Sequence, residues 1–227
     1  MDLSLLPLYH GPIKIKLKPS NHEYTISKDL LCAELPVFSA MFKGHFLESQ
    51  TMEVELEELE DVVTSQSVQA LIQWLYLRVI EFDIEVGGPQ DCITAAVELA
   101  RLADMYAITR LEFKLAKYIK NIIIEWNDPE VLNANPTAYI DHNTLCLKAE
   151  HIISATHLHR DHPVRQILAG ACATGFLQTY PSKFHGLIQE YPSFGADLLL
   201  EVRAALCSGR FEDRISEEAL DHSFRGA

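Results

Sequence analysis

The order of hydrophobic periods along the chain predicts an α+β fold followed by an all-helical region. Three observations carry that prediction. Apolar and polar residues alternate in Ile13-Lys14-Ile15-Lys16-Leu17 and in Met52-Glu53-Val54-Glu55-Leu56, which is the period of a half-buried strand. Between and after these runs, apolar residues recur every three or four positions, as on a helix with one buried face. Beyond Asn143 only the helical period remains.

In chain order, residues 13–17 form a strand with Lys14, Lys16 and Lys18 on its wet side. Glu23–Ser27 is its hairpin partner, with Pro19, Ser20 and Asn21 in the turn. Ser27 can cap a helix from Lys28 to about Leu35. Pro36 blocks its continuation, so a second helix restarts at about Val37. That helix puts Phe38, Met41 and Phe42 on one face and stops at Gly44. Met52–Leu56 is the third strand, with its glutamates in water. Val68, Leu71, Ile72, Leu75 and Tyr76 mark the next helix. Val79–Phe82 has the composition of a short strand, and Gly87-Gly88-Pro89 that of a turn. A long helix follows, with Ile93, Ala96, Val97, Ala100, Ala103 and Ala107 facing inward. Another begins near Thr109, with Leu111, Leu115, Tyr118 and Ile122 on one side.

From Asn127 to Asn143, Asn, Asp and Pro dominate, and the segment reads as a linker. Three helical segments come next. The first holds Ile152, Ile153 and Thr156. The second holds Val164, Ile167, Leu168, Ala171, Cys172 and Phe176. The third runs from about Phe194 to Leu206, with Leu198, Leu199 and Val202. The tail after Ser208 is polar, with one short helical pattern at Ser216–Leu220. The expected division is a short segment 1–12, a domain 13–126, a linker 127–143, a helical extension 144–207 and a tail 208–227.

Bulk properties narrow the function. The 227 residues are 48% hydrophobic, enough for a real core, and carry a formal net charge of −13. DNA and anionic membranes repel such a surface, so neither nucleic acid nor membrane is expected as a direct partner. The longest uncharged stretch, between Arg165 and Lys183, is too short and polar to span a bilayer. Five scattered cysteines form no C-x-x-C pair, and Asp2 and Pro7 do not suit a secretory leader. A reducing compartment, cytoplasm or nucleus, is expected, with thiols buried as small hydrophobes.

Candidate chemistry is sparse. His157-x-His159-x-x-His162, with Asp161 and His151 nearby, is the one cluster that suggests metal. Zinc wants three or four N/S ligands, yet His157 and His159 point to opposite sides of a helix, so the cluster reads as a polar helix end. Glu53, Glu55, Glu57, Glu58, Glu60 and Asp61 read as a solvated strand face. No nucleophile elbow, P-loop or Rossmann glycine pattern occurs. No catalysis, cofactor or metal is expected.

Several pieces resemble the BTB/POZ fold in order and spacing. They are Tyr24-Thr25-Ile26-Ser27-Lys28-Asp29-Leu30-Leu31, Pro36-Val37-Phe38, Met41-Phe42, Gly44-His45-Phe46-Leu47-Glu48, Leu75-Tyr76 and Ala100–Ile108 with Arg110-Leu111. The resemblance covers roughly residues 12–125 and is nearest to the short BTB proteins of filamentous fungi. Ser27 stands where that family usually has His, Leu35 where it has Ser, and Tyr76-Leu77-Arg78 where it has Tyr-Thr-Gly. The helices after Asn143 occupy the place of BACK-type helices, by position alone.

The resemblance implies a non-catalytic interaction module that oligomerises and recruits partners. Phe46-Leu47-Glu48 fits the hydrophobic-x-Glu pattern of cullin-binding adaptors, which implies a ubiquitin-ligase role with Phe46, Leu47, Glu48 and Tyr76 as contacts. Phe46 has a second reading, packed under the following strand. Leu30, Leu31, Phe38 and Met41 lie on helices that meet at the two-fold axis of family homodimers, and would divide between core and interface. Many members exchange an N-terminal helix and strand across that interface; about a dozen residues precede the first strand here. The alternative is a structural or transcription-regulatory oligomerisation protein without ligase binding.

Overall fold

The computed structural model describes residues 11–44, 46–82, 88–125 and 141–208. They fall into two compact units, Met1–Val86 with Ala95–Leu115, and Gly87–Thr94 with Ala116–Ala227.

In the first unit, β1 (Pro12–Lys18) is the middle strand of a three-stranded sheet. It pairs antiparallel with β2 (Glu23–Ser27) and parallel with β3 (Glu53–Glu57). Alternation sets the faces: Ile13, Ile15 and Leu17 are buried, while the lysines between them reach water. Diagonally across the β1–β3 register, Lys16 reaches Glu53 at 2.8 Å and Lys18 reaches Glu55 at 2.7 Å. In the hairpin turn Asn21 adopts a left-handed backbone, a conformation Asn tolerates, and its amide donates to the Leu17 carbonyl at 2.8 Å.

Helix α1 (Lys28–Glu34) is capped by Ser27, whose hydroxyl accepts from the Leu30 amide. Pro36 does not merely break it. Pro36 is the first residue of α2 (Pro36–Lys43), where its missing N–H costs nothing and its φ suits a helix. A five-residue helix that periodicity did not reveal, α3 (Leu47–Thr51), closes with Met52 in the left-handed region. The third strand therefore begins at Glu53. Helix α4 (Ser65–Leu77) starts with a reciprocal cap: the Ser67 amide donates to Thr64 Oγ1, and the Thr64 amide donates to Ser67 Oγ, both at 3.0 Å. Val68, Leu71, Ile72 and Leu75 are buried, and Trp74 with them. Val79–Phe82, expected as a strand, is irregular chain without ladder partners.

Helix α5 (Pro89–Met105) buries Ile93, Ala96, Val97, Ala100 and Ala103 as expected. Ala107 instead leaves the helix with φ of 56° and is exposed. In α6 (Thr109–Glu125) the buried stripe is Leu111, Leu115, Ile119 and Ile123; Tyr118 and Ile122 lie half-buried beside it.

The second unit carries α7 (Ala149–Ala155), α8 (Pro163–Gln178), α9 (His185–Glu190) and α10 (Pro192–Ser208) after a 3-10 turn at His142–Thr144. Most of the expected linker and the tail pattern at Ser216–Leu220 lie outside the described residues. Helix α9 was missed because Pro181 and Gly186 interrupt any period. Helices α8 and α10 pack together, burying Val164, Leu168, Ala171, Cys172, Phe194, Leu198 and Val202. Leu199, expected inside, is 61% exposed; it is one residue, 100° of helix turn, from Leu198. Phe176 is half-buried.

A buried ion pair ties α8 to α10. Arg165 donates from Nε to Asp197 at 2.8 Å and from Nη1 to the Leu158 carbonyl at 2.9 Å. Lys183 donates to the carbonyls of Thr144 at 2.6 Å and Leu147 at 2.9 Å. Burial pulls its ammonium below its ordinary pKa. All five cysteines are free. Cys146 and Cys172 are buried, but Cys207 is exposed, against the expectation that every thiol is inside.

Candidate functional site

Helix α2 stops at Gly44, whose amide donates to the Ala40 carbonyl at 3.0 Å. The reason for glycine here is space: an added β-carbon would meet the Phe46 ring at 2.6 Å. The ring covers Gly44 on one side, and Phe46 remains 58% exposed. This corrects the reading of Phe46 as packed under the following strand. Leu47, the first residue of α3, is 70% exposed, and Glu48 beside it is half-buried. The turn is held from within: Ser49 Oγ donates to the Phe46 carbonyl at 2.7 Å, and Thr51 Oγ1 to the Leu47 carbonyl at 3.1 Å. Two large apolar side chains therefore stand in water on a backbone whose local hydrogen bonds are satisfied. Adjacent exposed apolar side chains of this size suit contact with a partner. His45 lies outside the described residues.

Tyr76 is placed differently from the other three. It is half-buried, and its hydroxyl oxygen accepts from the Ser27 amide at 2.9 Å. It ties the start of α1 to the end of α4, which assigns it a structural contact.

The four interface candidates divide. Leu31 (1% exposed) and Phe38 (2%) belong to the core, where the Phe38 ring meets Tyr106 with centroids 5.1 Å apart. Both fall on the core side of the expected division. Leu30 and Met41 are half-buried and reach the surface. Val37, which the periodicity did not single out, is 42% exposed on α2.

Two histidines of the cluster cap helices. His162 Nδ1 accepts from the Val164 amide at 3.1 Å and so caps α8. His151 Nδ1 accepts from the Lys148 amide at 3.1 Å, and its Nε2 sits 2.9 Å from Thr94 Oγ1. Burial pushes both imidazoles down to about 4. His159 stacks edge-on to His162, with ring centroids 5.0 Å apart, and His157 Nδ1 lies 3.3 Å from the Ser154 carbonyl. The strand glutamates serve the lysines of β1; the hydrogen bond from Lys16 holds the Glu53 carboxyl below its usual range.

No described helix is long and apolar enough to cross a membrane. The sequence of residues 13–123 matches the family model of the BTB/POZ domain. No curated protein matches the chain.

Proposed function

Because residues 13–123 are a BTB/POZ domain, a module of protein–protein interaction and oligomerisation, we propose that the chain is an adaptor whose partner is a cullin-type ligase scaffold. The observation that carries this reading is the exposure of Phe46 and Leu47 at the end of the helix pair α1–α2 and the start of α3. An apolar side chain presented by a hydrogen-bonded turn can enter a groove on a partner helix, and the carboxylate of Glu48 next to it fixes register. The sequence Phe46-Leu47-Glu48 resembles the pattern of cullin-binding adaptors. BTB domains are in general non-catalytic, and the role needs no chemistry from this chain. Self-association is part of the proposal, through Leu30, Met41 and the exposed Val37.

The test is light scattering of the full chain, alone and with a cullin N-terminal domain. The expected result is a dimer that forms a larger stable complex. Leu47→Asp should abolish the complex and leave the dimer intact. A chain that ignores every cullin tested overturns the ligase reading. It would leave oligomerisation in regulation, without ligase binding, as the alternative.

A further inference from the structure

Asp141 Oδ1 is buried and has no hydrogen-bond partner among the described residues. A buried oxygen in that state has given up its hydration and calls for a donor. Asp141 borders a cavity of about 10 Å³, room for one water molecule.

Local structure fixes the carboxylate at this cavity. Asp141 precedes the 3-10 turn His142–Thr144, and its Oδ2 accepts from Thr144 Oγ1 at 2.9 Å. Gly175 of α8 leaves the space that the carboxylate fills, since a β-carbon there would overlap Oδ2. Lys183 and Ser182 bring further polar groups to the lining, and Ile188 of α9 with Phe194 and Leu198 of α10 give it an apolar wall. An ammonium has three N–H donors. The Lys183 ammonium spends two of them on the carbonyls of Thr144 and Leu147, which leaves one.

The lining selects its occupant. A metal ion would sit beside the Lys183 ammonium, and an anion beside the Asp141 carboxylate. An organic ligand needs a pocket of about 300 Å³ or more. What fits is small, neutral, and both donor and acceptor. A second cavity of about 10 Å³ gives the contrast. It is bordered by Arg165 and Asp197, but these groups already bond to one another and to the Leu158 carbonyl, so they make no comparable demand.

We propose that the cavity at Asp141 holds one structural water molecule, which donates to Asp141 Oδ1 and accepts from Lys183 Nζ. The water bridges carboxylate and ammonium, and ties the turn at 141–147 to the loop before α9. The Lys183 charge favours the ionised carboxylate, the form that only accepts. The assignment is independent of the adaptor reading.

The test places the water with a crystal structure of the full chain that shows ordered solvent, and counts long-lived waters in solution by oxygen-17 relaxation dispersion. Solvent density is expected at hydrogen-bond distance, about 2.7–3.2 Å, from both Asp141 Oδ1 and Lys183 Nζ. Asp141→Asn keeps an oxygen acceptor and should keep the count. Asp141→Leu, apolar and of similar size, should lose one long-lived water. Comparing the two variants cancels any water common to both. No density at this spot, a side chain filling the space, an occupant with the short contacts of a metal ion, or equal counts in the two variants would each overturn the proposal. The crystallographic result decides by itself where Asp141→Leu fails to fold.

Discussion

Two sets of ion pairs, one in each unit, handle charge in opposite ways. In the first, Lys16, Lys18, Glu53 and Glu55 pair across neighbouring strands in contact with water. In the second, Arg165 and Asp197 pair at 7% and 8% exposure, with Arg165 also bonded to the Leu158 carbonyl. The contrast teaches that a salt bridge is not one kind of interaction. An exposed pair exchanges one hydrated state for another, and loses little when a partner goes. A buried pair has given up its water, so removal of one partner strands the other.

The largest effect should come from the buried pair. Asp197→Ala should destabilise the chain by about 3–5 kcal/mol in urea unfolding, because it leaves the Arg165 guanidinium buried without its counter-charge. A loss under 1 kcal/mol would mean that the contrast between the units is not one of burial.

Acid should separate them next. His151 and His162 are held neutral, with pKa pushed from 6.5 to about 4. As pH falls, the unfolded chain takes up these protons first. Their contribution is complete above pH 6.5, is lost between 6.5 and 4, and changes no further below that window. The loss should reach roughly 3 kcal/mol for each residue. His162→Asn retains a cap acceptor and should flatten the slope of stability against pH. An unchanged slope would show that carboxylates alone carry the acid response.

A steric test refines the picture of the second unit. A β-carbon at Gly175 would overlap Asp141 Oδ2. Asp141 cannot swing away freely, since Oδ2 also accepts from Thr144 Oγ1 at 2.9 Å. Gly175→Ala should cost about 1–3 kcal/mol. The double variant with Asp141→Ala should recover part of that loss, and additive losses would contradict the contact.

The smallest effect belongs to the sheet. Lys18→Gln breaks the 2.7 Å pair with Glu55, whose two side chains are 50% and 56% exposed. It should change stability by no more than about 1 kcal/mol, and less at high salt. A larger loss would make the two units alike.

Much of the fold was legible because its elements obey simple periods. The alternation of Ile13, Ile15 and Leu17 gave β1, and Ser27 with Pro36 marked where α1 begins and ends. What periodicity missed has physical causes. Helix α3 is too short to show a period and buries nothing. Val79–Phe82 has strand composition but no partner strand, and a strand needs a ladder as well as propensity. Leu199 matches a helical spacing with Val202 and Leu206, but that side of the helix is exposed at Leu199 and Leu206. The site was half legible. Gly44 marked the end of α2, but the exposure of Phe46 and Leu47 depends on what the rest of the chain leaves uncovered. The capping roles of His151 and His162 needed coordinates, since each pairs with a backbone amide that spacing alone does not identify.

Lys183 supplies a clock for the second unit. Its amine holds the carbonyls of Thr144 and Leu147. An acylating reagent needs the free lone pair, so it can modify Lys183 only in the moments when both contacts are broken. The rate of labelling at this lysine, set against that of an exposed one such as Lys18, counts how often the turn at 142–147 opens in the folded chain.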